Sequence, residues 1–201
     1  SGSMSNCIKE TVGGYNEYLS SLREDKGDTV KVSLTKFDSR RIEQVYTNKC
    51  ISQVKDMGLH EFMPCANTPL YDAIGKTVAE ARAVASETDA VFIVILTDGM
   101  ENNSEEYTLK SVRSLIADGQ AKGWKFIFLG ADIDAFSEAR GLGIAQGSTL
   151  GFNKSDMGAA YSKLSESSGN MRSAYVSSGV QGIATMDCFS STDQQELKPK
   201  L

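Results

Sequence analysis

Seven consecutive apolar residues, Ala-Val-Phe-Ile-Val-Ile-Leu at 90–96, constrain this chain more than any other stretch. Four are β-branched, and the run stops abruptly at Thr97-Asp98-Gly99. A short, unbroken apolar run closed by polar and glycine residues reads as a strand buried on both faces of a sheet. It predicts a central strand with a carboxylate at its carboxyl end and a glycine that lets the backbone turn away. In open α/β sheets, ligands bind in the crevice outside the carboxyl ends of the strands. Asp98 is therefore the first candidate functional residue.

The rest of the pattern supports an α/β fold. Residues 7–23 carry Ile8, Val12, Tyr15, Leu19 and Leu22 on one helical face, interrupted by Gly13-Gly14. Residues 29–37 and 41–47 alternate and flank a tight polar turn at Asp38-Ser39-Arg40, which predicts an antiparallel hairpin. Residues 49–64 read mostly as loop, and the lone His60 there reads as a surface residue. Asn67-Thr68-Pro69 is a helix-start signature for a helix over 69–86, with Thr68 as a candidate cap. Residues 99–107 form a polar loop, and Thr108 caps a further helix. A parallel strand follows at 125–129, a short helix at 133–140 and an edge strand at 148–152. A last helix is expected over 156–177 and a frayed polar tail over 190–201. Alternation of this kind predicts a mostly parallel sheet with helices on both faces.

Composition excludes several classes. A net charge of −5 without a basic run disfavours nucleic-acid binding, which needs a concentrated positive face. No apolar run approaches the ~20 residues of a membrane span, and residues 1–23 lack the pattern of a signal peptide. Cys7, Cys50, Cys65 and Cys188 are scattered, as expected of free thiols in a reducing, cytoplasmic setting.

Three sets of hard oxygen donors fall near strand ends or helix starts: Ser1 and Ser3, Thr68, and Asp98. Such donors suit magnesium, calcium or manganese. With only one carboxylate among them, water and an outside carboxylate would have to complete the shell.

Ser-Gly-Ser-Met-Ser before a helix, then Thr-Pro-Leu-Tyr-Asp-Ala-Ile, then Ile-Leu-Thr-Asp-Gly resembles the von Willebrand factor A family. The likeness runs on through Phe37-Asp38 and Phe128-Leu129-Gly130-Ala131 to about Tyr175. It is similar in detail to small single-domain cytoplasmic members from bacteria and their phages. The resemblance implies a Rossmann-like three-layer α-β-α sandwich over residues 1–180. Its central sheet would be mostly parallel with one antiparallel strand, followed by a partly disordered tail over 181–201. It implies a metal-ion-dependent adhesion site with Ser1, Ser3, Thr68 and Asp98 as metal ligands. The expected function is a divalent-metal-dependent protein-binding module, not an enzyme. A protein partner would supply a carboxylate to a Mg2+ ion (or Ca2+ or Mn2+). Glu101, Asn102 and Asn103 border the site as candidate partner contacts. A magnesium-dependent hydrolase, or a small-ligand or nucleotide-binding protein on the same scaffold, is the alternative. It lacks a Gly-rich phosphate loop, a Gly-x-Ser-x-Gly elbow and a second carboxylate cluster to support it.

The family places an apolar strand and an aspartate before the position of Ser1, and neither is in this sequence. Three explanations are compatible with the sequence. The strand was lost or cleaved; Ser1-Gly2-Ser3 is foreign sequence ahead of a native Met4; or residues 181–189, ending near Met186-Asp187, fill the gap. Without a strand there, the sheet is expected to carry a slot with unpaired backbone on both sides.

Overall fold

The computed structural model describes residues 2–24 and 30–199. A 3-10 turn, Gly2–Cys7, leads into α1, Ile8–Glu24, whose buried face carries Val12, Leu19 and Leu22. A side chain at Gly14 would collide with the Tyr161 ring, so the glycine that weakens the helical pattern lets another helix pack close. The hairpin comprises β1, Lys31–Phe37, and β2, Ile42–Cys50, paired antiparallel with Phe37 opposite Ile42. Asp38 locks its turn by accepting from the Arg40 and Arg41 amides at 2.8 and 3.3 Å. The stretch expected to be mostly loop contains two 3-10 turns, Ile51–Gln53 and Leu59–Glu61. Ile51 and Val54 there are buried against Leu19 and Leu22.

Then follow α2, Leu70–Val84; β3, Phe92–Thr97; α3, Leu109–Ala121; β4, Lys125–Ala131; α4, Ala135–Leu142; and β5, Thr149–Phe152. The chain closes with α5, Met157–Ala184, and α6, Ser191–Glu196. Thr108 caps α3 by accepting from the Ser111 amide, and Asp134 caps α4 by accepting from the Ser137 amide. α5 runs past the expected end at residue 177 and breaks internally at Gly179, which adopts φ 63°.

The protein is α/β. Strands β3, β4 and β5 form a parallel sheet in that order, and β1 and β2 form a separate antiparallel pair. Ile93, Ile95, Phe126 and Phe128 pack on one side with α2, α3 and α4. Ile127 and Leu129 pack on the other with α5 and the start of α1, where Val94 and Leu96 are only partly covered. The two-residue period of a strand sends alternate side chains to these two layers.

Three expectations need correction. β3 is not central in its sheet: β4 is, with all seven residues buried, while β3 alternates between buried and half-buried positions. The reason is a cavity of about 1290 Å³ along the unpaired edge of β3. It is bounded on the far side by β1, on one face by Leu70 and Ile74 of α2, and on the other by Tyr15 and Leu19 of α1 with Tyr161 and Leu164 of α5. This is the expected slot, and among the described residues no backbone pairing joins β1 to β3.

Residues 181–189 do not fill that slot. The Cys188 and Phe189 amides donate to the Gly147 carbonyl, and the Asp187 carboxylate lies against Gly147, ahead of β5. Lys125, at the amino end of β4, donates to the Ala184 and Met186 carbonyls and ties this segment to the opposite end of the sheet from Asp98.

The tail is docked at least as far as residue 197, with Phe189 2% and Leu197 8% exposed. Two isolated apolar residues in a polar stretch carry no periodicity from which to expect this.

Candidate functional site

The carboxyl ends of the strands converge on the loop at residues 65–68. The Ser39 amide, just after β1, donates to the Cys65 carbonyl at 3.3 Å. The Gly2 amide, ahead of α1, donates to the Ala66 carbonyl at 2.9 Å. A Cβ on Gly2 would sit 2.9 Å from the Ala66 nitrogen, so this close approach needs glycine. Beyond β3, the Asn102 side chain accepts from the Thr68 amide at 2.8 Å, and the Asn102 amide donates to the Thr68 carbonyl at 3.2 Å. The start of α1, the entry to α2 and the loop after β3 thus meet at one place.

Asp98 sits at this convergence. The Thr97 hydroxyl donates to the Gly99 carbonyl at 2.9 Å and accepts from the Gly99 amide at 3.2 Å, fixing the turn that carries the aspartate. The carboxylate is not exposed to the crevice as the sequence suggested: its side chain is 0% exposed. Oδ2 lies 2.9 Å from the Lys154 ammonium, an ion pair without good hydrogen-bond alignment, and Oδ1 has no hydrogen-bond partner among the described residues. Buried carboxylate oxygens are normally satisfied, so Oδ1 is a position for a water molecule or a cation.

Lys154 is the residue that sequence reasoning missed. It follows β5, and its amide donates to Asp132 Oδ1 at 3.1 Å, while its ammonium lies 3.7 Å from Asp132 Oδ2. Asp132 adopts a left-handed φ of 55° at the end of β4. Burial opposes the lysine's charge, but pairing with Asp98 and the nearby Asp132 outweighs it and holds the ammonium above its ordinary range. The Cys7 thiol, pushed up by burial, feels the opposing fields of Lys154 and Asp98, which places the start of α1 beside the pair.

Of the expected ligands, Thr68 is buried at 2% exposure and tied to the same loop, and Ser3 is exposed on the 3-10 turn at the start of α1. Ser1 lies outside the described residues. The Thr68 hydroxyl does not cap α2. The Tyr71 amide donates to Glu101 at 2.8 Å, and the Asp72 amide to the Ser104 hydroxyl at 3.0 Å, so the loop after β3 caps the helix instead.

Glu101 also accepts from the Asn103 and Ser104 amides and the Ser104 hydroxyl. Burial opposes its charge, but these hydrogen bonds prevail and hold the carboxyl below the usual range. Asn103 accepts from the Asn67 side chain at 2.9 Å. Asp72, buried, accepts from the amides of Glu105, Glu106 and Tyr107 at 2.8, 3.0 and 2.7 Å. Its burial would raise the carboxyl, and the three amides outweigh that and lower it. The loop bordering the site is therefore held by two carboxylates, both ordered by backbone donors.

The oxygen donors are of the right kind for a hard cation, and the orphaned Oδ1 of Asp98 is the atom that fits one. Among the described residues, no three metal-ligating His, Cys, Asp or Glu side chains cluster. The site thus has one buried carboxylate, and an ammonium already sits on it.

No protein-family model and no curated protein matches the chain. Proximal thread matrix protein 1 from the mussel byssus is similar in fold, with a TM-score of 0.57 at 12% identity over 80% of this chain. The match spans 40% of the mussel protein. Among the described residues, no helix is long and apolar enough to cross a membrane.

Proposed function

We propose that this chain is a von Willebrand factor A-like binding module, built as a Rossmann-like three-layer sandwich, that engages a protein partner through a divalent cation at the carboxyl ends of its strands. The observation that supports the reading is the buried Asp98 carboxylate with an unsatisfied Oδ1, positioned by a locked turn near Cys7 at the start of α1 and followed by the loop whose Asn102 holds Thr68. Asp98 would hold the ion, with Thr68, Ser3 and Ser1 as neutral oxygen donors. When bound, magnesium, calcium or manganese supplies a Lewis-acidic position for a partner's carboxylate. Glu101 and Asp72 keep the adjoining loop in shape, and the loop presents Asn102 and Asn103 next to the site.

Cation-dependent binding makes one demand that a purely structural Asp98 would not. The test is affinity capture by the wild-type protein and the Asp98→Ala variant, each with magnesium and with chelator. The reading expects partners retained only by wild type in magnesium. Equal capture in all four conditions would sink it.

A further inference from the structure

We propose that Lys154 is the resident counter-cation of Asp98, and that its ammonium and a divalent ion are alternative occupants of this one carboxylate. The inference rests on the reading of Asp98 as a cation ligand and adds how access to it is controlled. Nζ lies 2.9 Å from Asp98 Oδ2, with the lysine side chain 17% and the aspartate side chain 0% exposed, so the pair is largely removed from solvent. The lysine arrives there by construction. Its amide is pinned to Asp132 Oδ1 at the end of β4, and its side chain reaches across the carboxyl ends of the sheet to β3.

An ammonium has three donors and no acceptor, so it satisfies a carboxylate but cannot itself ligate a metal. At this separation from Asp98 it would also repel any second cation on the same carboxylate, and burial weakens the screening that would relieve this. Of the two carboxylates that face Lys154, Asp98 is the buried one, since Asp132 is 44% exposed. Loading the site therefore means cation exchange. The ion takes the carboxylate, and the lysine swings out on its flexible stem towards Asp132 and water. At rest the domain is neutralised from within, and it opens to a partner only when the ion displaces Lys154.

Calorimetric titration with magnesium and manganese tests this on wild type, Lys154→Met, Lys154→Arg and Lys154→Met combined with Asp98→Asn. Lys154→Met, which keeps the stem and removes the charge, should bind at least about tenfold more tightly than wild type. Lys154→Arg should show no gain, and the double variant should lose it. Equal affinity of wild type and Lys154→Met overturns the exchange while leaving the cation reading intact. Absence of binding in both overturns the two together. A second measurement needs no variant: the wild-type Lys154 ammonium, followed by nitrogen-15 NMR, should lose protection from solvent exchange as magnesium is added. Unchanged protection at saturating magnesium would equally refute the proposal.

Discussion

Extending the chain upstream of Ser1 with six apolar, β-branched residues ending in an aspartate should raise its melting temperature sharply. The cavity between β1 and β3 sets the magnitude. The space, about 1290 Å³, is lined by apolar residues of β1, β3, α1, α2 and α5 and is partly open to solvent. Water filling it leaves apolar walls wet and gains nothing from pairing the two strand edges.

A strand is the shape that fits. β3 has six residues, and its free edge faces that of β1. The carboxyl ends of β1 and β3 meet at the 65–68 loop, where Gly2 is held, so residues joined to Ser1 enter at the correct end to run parallel to β3. Burying six such side chains gains about 1.5–3 kcal/mol each, against about 1.5 kcal/mol per residue for ordering them. Ladder hydrogen bonds on two edges add about 1 kcal/mol apiece. A net gain of about 5 kcal/mol is therefore conservative, and at about 2–4 °C per kcal/mol it means about 10–20 °C. Calorimetric melting against an extension of equal length made of glycine and serine isolates the effect. The extended chain should gain further in magnesium, because its aspartate adds charge beside Asp98 and a ligand that binds only the folded state stabilises it. Melting no higher than the glycine-serine control would refute the strand-slot reasoning.

Asp72→Ala should destabilise the protein by about 2–4 kcal/mol in chemical denaturation, because three loop amides lose a charged acceptor. Asp72 is held below its ordinary carboxyl range, so its contribution is full above about pH 4 and is lost as pH falls through the lowered value. Asp72→Asn should flatten that part of the acid-unfolding profile. Ile95→Ala, in the buried layer against α2, should cost about 2–4 kcal/mol, whereas Val94→Ala, half-buried beside the cavity, should cost clearly less by the same assay. Asp98→Ala should abolish cation-dependent binding. Because its side chain is fully buried and paired with Lys154, it should also cost about 1–3 kcal/mol by thermal melting, not the near-zero of a surface change.

The elements that write themselves in the sequence are those with a local signal. A strand within the 90–97 stretch, the hairpin around Asp38 and the cap at Thr108 depend on neighbours a few residues away, and they form where expected. What stayed hidden is long-range. β3 reads as buried on both faces because its composition does, yet among the described residues only β4 pairs with it. Thr68-Pro69 carries a capping signature, but Glu101 and Ser104, more than thirty residues on, take the first-turn amides of α2. Lys154 is one lysine among many, and only the parallel order of β3, β4 and β5 brings it onto Asp98. Phe189 and Leu197 dock a segment whose polar composition suggests none of it.

Manganese, a hard cation suited to the Asp98 oxygens, reports its own position. In a two-dimensional amide NMR spectrum of the wild-type protein, substoichiometric Mn2+ broadens resonances near the bound ion even when binding is weak. Selective loss of the Thr68, Asp98, Gly99 and Lys154 amides, together with those of the Gly2–Cys7 turn, is the predicted result. Broadening that leaves these amides sharp, or that centres on the exposed acids Glu105 and Glu106, would contradict it.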